Sequence, residues 1–389
     1  MPPVQPCTKP HIQECARGHG AAMAAQPVLR GCLAHLRPQS PLGARAPAGT
    51  APTSGGGGFQ PHPLPPPGPE RDAWLRRLFG PAAALRAPLA HSFGAKLAGV
   101  GIAAPLAPEQ AAALIALWHE YRVLVLPGQA GLSLEAFERF SNHFGCPTPH
   151  PSVASRVDGH PNVQLLSNVQ GGYISADNRA AADATLPPIT PSPHHTDLDY
   201  ETEPSSASML LCETAPCEGG FTSFVDVTAA LDALPTELRE AAESLSVVRT
   251  PFQSFRLYAK AARNEAPLVR RHPHTRRKSL HVSHPDLMRE FSNESGEALV
   301  ERLRRHLLEP SPSFEYLHAY ARGDLVVWDN LALMHQGPIE GVSVADASHP
   351  RARLLFRVTV KGEPATALPR RDAGWWVDTH IIDADAAPA

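Results

Sequence analysis

Apolar residues recur at helical spacing after Pro108 and Glu109, where Leu114, Leu117, Trp118 and Tyr121 form one stripe, so a helix is predicted to open there. Val123-Leu124-Val125-Leu126 follows as an unbroken apolar run and reads as a buried strand, stopped by Pro127-Gly128. Ser133 can cap a second helix whose Phe137, Phe140 and Phe144 line one face before Gly145 ends it. That phenylalanine stripe reads as core. Beyond it the pattern shifts to short extended runs, and strands are predicted at 207–212, 220–225, 324–328 and 353–360. Helical patterns interrupt them at 229–245, broken by Pro235, and at Gly296–Leu308. Short strands separated by turn residues, with helices near the start, predict a mainly β fold: a sandwich or barrel with helices packed outside.

The first 70 residues follow no such pattern. They hold fifteen of the 42 prolines, a Gly55–Gly58 run and only two acidic residues, Glu14 and Glu70. So little large apolar surface cannot offset the entropy of ordering the chain, and residues 1–70 read as a disordered extension. Ala and Arg without acids also fit an organelle transit peptide, although the stretch is poor in Ser. The remainder, 71–389, reads as one catalytic domain. Across 389 residues, 35 Lys and Arg balance 38 Asp and Glu, which gives no electrostatic argument for nucleic acid or an anionic membrane. No apolar run is long enough to span a bilayer. Six cysteines are too few for a disulfide scaffold, so a reducing, cytoplasmic setting is expected, or an organelle if the extension is a transit peptide. A homo-oligomer is left open. Twenty histidines invite a search for metal ligands.

The densest chemistry lies in Pro193-His194-His195-Thr196-Asp197-Leu198-Asp199. On an extended strand His195 and Asp197 would project to one face, with His194 and Thr196 on the other. An imidazole beside a carboxylate can hold one edge of a divalent metal, and a second histidine would complete a two-His-one-carboxylate face, the arrangement of non-haem Fe(II) oxygen chemistry. By itself a His-x-Asp is expected by chance in so histidine-rich a chain. The candidate third ligand is His335, after Val326-Val327-Trp328-Asp329-Asn330; taken alone, it reads as a core histidine satisfied by a backbone carbonyl. In Arg353-Leu354-Leu355-Phe356-Arg357-Val358-Thr359-Val360 the two arginines share a face about 13 Å apart. Alternation fits either a solvated polar face or a barrel lumen carrying two carboxylate-binding forks.

Taken in order, these elements resemble the taurine dioxygenase family of Fe(II)/2-oxoglutarate-dependent oxygenases, which includes herbicide-cleaving and alkylsulfate-cleaving members. The resemblance runs over residues 94–361 and rests on segment 99–129, the His-Thr-Asp element, Glu218-Gly219-Gly220-Phe221-Thr222-Ser223, Trp328-Asp329-Asn330 followed by His335, and the Arg353 and Arg357 pair. It implies a double-stranded β-helix, a form of jelly roll, with His195, Asp197 and His335 as iron ligands. Thr222 and Arg353 match the residues that hold the distal carboxylate of 2-oxoglutarate. Arg357 matches an arginine near the substrate's anionic group, and His150 matches a substrate-pocket histidine. The implied reaction consumes O2 and 2-oxoglutarate, releases succinate and carbon dioxide, and hydroxylates a small, anionic organic substrate. Asp197 argues against a halogenase, which vacates the carboxylate position.

The chain departs from a taurine-specific member at Pro191, His194 and Val153, and lacks an evident aromatic near Val282-Ser283-His284, so taurine itself is not the expected substrate; Phe252 or Phe255 is an alternative pocket wall. Two other classes fit parts of the pattern. A zinc hydrolase could use His/Asp/His but gives Arg353 and Thr222 no purpose, and a non-catalytic jelly-roll binding protein needs no intact ligand set. The basic run 270–278 reads as a solvated hairpin rather than a nuclear-localisation signal, and Asn293-Glu294-Ser295 as a chance glycosylation triplet. Cys212 and Cys217 read as ordinary thiols. Asp329 and Asn330 are either groups orienting His335 or a plain turn.

Overall fold

A computed structural model describes residues 64–150, 156–169, 193–201, 203–251, 264–284, 287–308, 314–337, 344 and 348–362. Most of the expected N-terminal extension, together with Pro151, Val153, Pro191, Phe252 and Phe255, lies outside these residues. The described part starts earlier than the sequence suggests. A helix opens at Pro69 rather than after Arg71, Leu64 packs against the core, and Arg71 Nε donates to the Pro65 carbonyl at 2.7 Å.

The expected elements near the start are present. The helix Pro108–Tyr121 begins with proline in its first turn, where the missing N–H costs nothing. Ser133 Oγ accepts from Ala136 N and caps the helix Leu134–Ser141. This helix stops three residues short of Phe144, yet Phe144 is fully buried and packs edge-on against Trp118. The pattern at 229–245 resolves into two helices, Val227–Asp232 and Thr236–Glu243, divided at Pro235 as proline geometry requires.

Nine strands form the main sheet. Its path runs Ala84–Arg86, Ala95–Ala98, Val123–Leu126, Leu325–Asp329, Ala207–Thr214, Leu354–Lys361, His160–Ser167 and Arg156–Val157, and Cys146–Thr148 also pairs with Leu354–Lys361. All pairings are antiparallel except that of Ala95–Ala98 with Val123–Leu126. A second sheet places Thr222–Asp226 between Glu315–His318 and Leu333–Gln336. Alternation along each central strand then explains the layers. Leu124, Leu126, Met209, Leu211, Leu325, Val327, Leu354, Phe356 and Val358 pack under the N-terminal helices. Val123, Val125, Leu210, Val326, Trp328 and Leu355 turn the other way, toward Phe224 and Leu333 of the second sheet. With both faces covered, these strands read as continuous apolar runs. The fold is mainly β, a two-sheet core of jelly-roll type with flanking helices.

This layering decides the arginine face. Arg353 and Arg357 share the Leu355 face, so they point between the sheets and not to solvent; Arg353 is only 7% exposed. The two sheets are also braced by a buried ion pair. Arg122 Nη2 meets Asp226 Oδ2 at 2.7 Å while Asp226 Oδ1 caps the helix Val227–Asp232.

The basic hairpin departs from the sequence reading. Val269–Arg271 and Lys278–Leu280 do pair as a hairpin, but Arg270 and His272 are buried rather than solvated. Both have acidic partners on other segments, Asp199 for Arg270 and Asp329 for His272. Charge pattern alone cannot reveal such partners. Beside it, His281 is fully buried, and burial, reinforced by Arg270, pushes its pKa down to about 3. A base held neutral in the fold is protonated first in the unfolded chain, so stability falls as pH drops from about 6.5 toward 3. We expect denaturant titrations between pH 6 and pH 4.5 to give this slope, and His281→Asn to flatten it by up to about 1.4 kcal/mol per pH unit.

Candidate metal and co-substrate site

His195 and His335 are directly cross-strand partners. His195 N donates to the His335 carbonyl at 3.0 Å and His335 N to the His195 carbonyl at 2.9 Å, an isolated antiparallel bridge. Residues that exchange both backbone bonds carry their side chains side by side, and the two imidazole centroids stand 4.4 Å apart. His335 belongs to Leu333–Gln336 of the second sheet, which the chain reaches by leaving Leu325–Asp329 of the main sheet through the turn at 330–332. The sequence left a turn at Asp329 and Asn330 as one of two readings and could not show that the chain changes sheets there.

The segment carrying His195 is not the extended strand expected. After the single bridge the chain turns, with Leu198 at a left-handed φ of 54° and Glu201 N donating to the Leu198 carbonyl. Asp197 nevertheless joins the histidines. Its Oδ1 lies 3.5 Å from His195 Nε2 and its Oδ2 3.7 Å from His335 Nε2. One donor atom from each of the three residues falls within 4.8 Å of the others. The turn is pinned by Asp199, buried against Arg249, against Arg270 at 2.8 Å and against Ser283 Oγ at 3.1 Å. Asp199, which alternation would have aimed beside Asp197, instead anchors the loop from behind.

Protonation suits a cation. Burial alone would raise the Asp197 pKa, but the Arg357 guanidinium and the two imidazoles hold it well below the usual carboxylate range. Burial also pushes His335 well below the ordinary histidine value, outweighing Asp197. An ionised carboxylate beside a neutral imidazole is the state in which both bind metal. His195 Nδ1 sits 2.8 Å from the Pro193 carbonyl, an acceptor that fixes its N–H there and leaves the Nε2 lone pair toward Asp197. His335 Nδ1 is buried with no hydrogen-bond partner among the described residues. The donor set therefore fits a divalent metal of the kind that takes two imidazoles and a carboxylate.

Behind the carboxylate lies a network that the sequence did not disclose. Ser208 Oγ, from the main sheet, donates to Asp197 Oδ2 at 2.6 Å. Asn330 Nδ2 donates to Ser208 Oγ at 2.9 Å and to Ser205 Oγ at 2.6 Å, while its Oδ1 accepts from Trp328 Nε1. Asn330 thus orients Asp197 through Ser208 and does not touch His335. Asp329 accepts from Leu331 N and pairs with His272, so it shapes the turn that leads to His335. His194, facing away, has its Nε2 3.1 Å from Ser223 Oγ.

Between the same two sheets, Arg353 Nη2 reaches Thr222 Oγ1 at 3.4 Å, a weak contact for a buried cation, and Arg353 Nε has no hydrogen-bond partner among the described residues. No carboxylate of the described residues forms an ion pair with it. The space beside it is kept open by Gly220, at φ +66°, where a Cβ would lie 2.6 Å from Pro216 Cγ and 3.1 Å from Arg353 Cδ. An under-used buried guanidinium fits a carboxylate-bearing ligand. Arg357 sits closer to the triad, with Nη2 2.5 Å from Asp197 Oδ1 and Nε 3.3 Å from Thr359 Oγ1. His150 is half-buried just past Cys146–Thr148, whose Thr148 pairs with Thr359, and its carbonyl accepts from Arg156.

Comparison with known proteins supports the same assignment. The taurine catabolism dioxygenase TauD, TfdA family model matches residues 85–359. Among relatives, the (S)-phenoxypropionate/alpha-ketoglutarate-dioxygenase of Sphingobium herbicidovorans is 28% identical, covering 72% of this chain and 96% of that protein. The alpha-ketoglutarate-dependent sulfate ester dioxygenase of Pseudomonas putida is 26% identical, covering 71% and 89%. A crystal structure described as a putative alpha-ketoglutarate-dependent taurine dioxygenase from Burkholderia xenovorans superposes with a TM-score of 0.58 at 28% identity, covering 72% of this chain and 93% of that one. With the family matched from the first main-sheet strand to the arginine strand, the chain belongs to the TauD/TfdA family and is an oxidoreductase, a 2-oxoglutarate-dependent dioxygenase.

Proposed function

We propose that this enzyme is an Fe(II)/2-oxoglutarate dioxygenase that hydroxylates a small, anionic organic substrate. The observation that carries the proposal is the convergence of His195, Asp197 and His335 within 4.8 Å between the sheets that also bury Arg353, a cation with no acidic partner among the described residues. In this reading His195, Asp197 and His335 would hold Fe(II). When bound, iron would activate O2, the oxidant, which takes two electrons from 2-oxoglutarate as it is oxidised to succinate and carbon dioxide and two from the substrate as it is hydroxylated. The chain's own residues supply position. Arg353 and Thr222 hold the distal carboxylate, and Ser208 with Asn330 keeps Asp197 aimed. Val125, Leu210, Leu355 and Phe224 make the space between the sheets apolar, which strengthens each charged contact inside it.

Arg357 supports an anionic substrate. It is a cation beside the triad, at the side opposite to Arg353 along the strand, and His150 is the second candidate for that region. Relatives whose names specify phenoxypropionate, sulfate ester and 2,4-dichlorophenoxyacetate act on molecules of that charge class. Alkyl sulfates, aryloxyacetates and sulfonates are therefore the first compounds to screen for substrate-stimulated succinate release. We infer a reducing compartment, the cytoplasm or an organelle, from the low cysteine count.

His195→Ala, Asp197→Ala and His335→Ala are each expected to abolish succinate formation and to lower iron content to background by metal analysis. Succinate production that survives all three substitutions rejects the proposal. Arg353→Ala is expected to keep iron and to weaken 2-oxoglutarate binding at least about a hundredfold, because a buried charge left unpaired costs on the order of 3–5 kcal/mol. An unchanged affinity would place the distal carboxylate elsewhere.

A further inference from the structure

One buried side chain touches both residues assigned above to the distal carboxylate, and sequence reasoning did not single it out. Tyr320 follows the strand Glu315–His318, whose last residue pairs with Thr222, and it is 8% exposed. Its hydroxyl lies 2.9 Å from Thr222 Oγ1. The Arg353 guanidinium carbon stands 5.2 Å over its ring. We propose that Tyr320 is a positioning residue of the co-substrate site, its phenol O–H donating to Thr222 so that the threonine proton is left for the distal carboxylate of an oxo diacid. The proposal rests on the reading of Thr222 and Arg353 given under Proposed function.

Counting donors carries the argument. A threonine hydroxyl has one proton and two lone pairs. Arg353 can only donate, so its contact uses one lone pair of Thr222 Oγ1. If Tyr320 accepted from Thr222, the phenol proton would need an acceptor of its own, and its other hydrogen-bond partner among the described residues, Arg353, can only donate. A buried O–H without an acceptor is costly, so the phenol donates. Both lone pairs of Thr222 are then filled, and its proton is left free to meet an anion beside the Arg353 guanidinium. Burial raises the Tyr320 pKa to about 12, which keeps the phenol protonated at working pH.

The ring has a second effect. A guanidinium over an aromatic face is held in orientation by the ring quadrupole. Behind Tyr320, His318 packs edge-on at 4.5 Å between centroids and is itself tied by its Nδ1 to Tyr316 Oη at 3.0 Å. The aromatic backing therefore fixes Tyr320, and Tyr320 fixes both anion-binding groups.

The test measures binding without turnover, by calorimetry on the full chain loaded with Mn(II). Two ligands are compared: 2-oxoglutarate and 2-oxopentanoate, which keeps the oxo acid but lacks the distal carboxylate. Tyr320→Phe should weaken 2-oxoglutarate about five- to tenfold, the scale of a hydrogen bond to a charged group, and leave 2-oxopentanoate within twofold. Combining it with Thr222→Val should bind 2-oxoglutarate no more weakly than Thr222→Val alone, because the phenol acts through the threonine. An unchanged 2-oxoglutarate affinity in Tyr320→Phe, an equal loss for both ligands, or full additivity with Thr222→Val overturns the proposal. Arg353→Ala separates the levels. Wild-type binding in that variant would overturn the co-substrate reading itself, whereas loss there with no change in Tyr320→Phe overturns the role of Tyr320 alone.

Discussion

Two backbone hydrogen bonds between His195 and His335 are the constraint on which the site depends. Each is worth only about 1 kcal/mol in net stability, yet together they set two imidazoles from distant segments side by side. Everything else near them serves to bring the third donor and keep it there. The left-handed turn at Leu198 carries Asp197 toward the histidines, Asp199 holds that turn against Arg249 and Arg270, and Ser208 reaches from the main sheet to fix the carboxylate. The proposed metal face is thus assembled across the gap between two sheets. Such a gap is where a small change in sheet packing would be felt most directly.

Charge balance between the sheets supports the proposed pairing of an acidic co-substrate with an anionic substrate. Among the described charged groups there, Asp197 faces Arg357, while Arg353 has no carboxylate at all. A divalent cation adds further positive charge in low-dielectric surroundings, where unbalanced charge is expensive. A dianionic oxo diacid offsets most of it, and a singly charged substrate brings the set to neutrality. The same space offers a neutral substrate no comparable compensation. Tyr320 and Thr222 fit this view, since they convert neutral hydroxyls into donors aimed where the negative charge would sit.

Much of the architecture was legible in the sequence because it is written in local pattern. Helix Pro108–Tyr121, the break at Pro235 and the buried strand Val123–Leu126 follow from periodicity and proline chemistry. The arginine strand was legible only up to an ambiguity. Alternation put Arg353, Leu355 and Arg357 on one face, but only the second sheet shows that this face is interior. The His-x-Asp spacing singled out two residues that do converge with His335, but for a wrong local reason, since a turn rather than a strand delivers Asp197. What stayed hidden is non-local. Nothing in their own surroundings marks Ser208 or Tyr320, whose meaning comes from partners many residues away.

The central claim concerns where three donors and one guanidinium lie around a metal and its co-substrate. The most direct measurement is an anomalous-scattering crystal structure of the protein soaked with Mn(II) and 2-oxoglutarate. A single metal peak bonded to His195, Asp197 and His335, with the far carboxylate of the oxo diacid on Arg353 and Thr222, is the predicted result. A metal bound at any other group of side chains, or an oxo diacid whose far end avoids Arg353, would contradict the account.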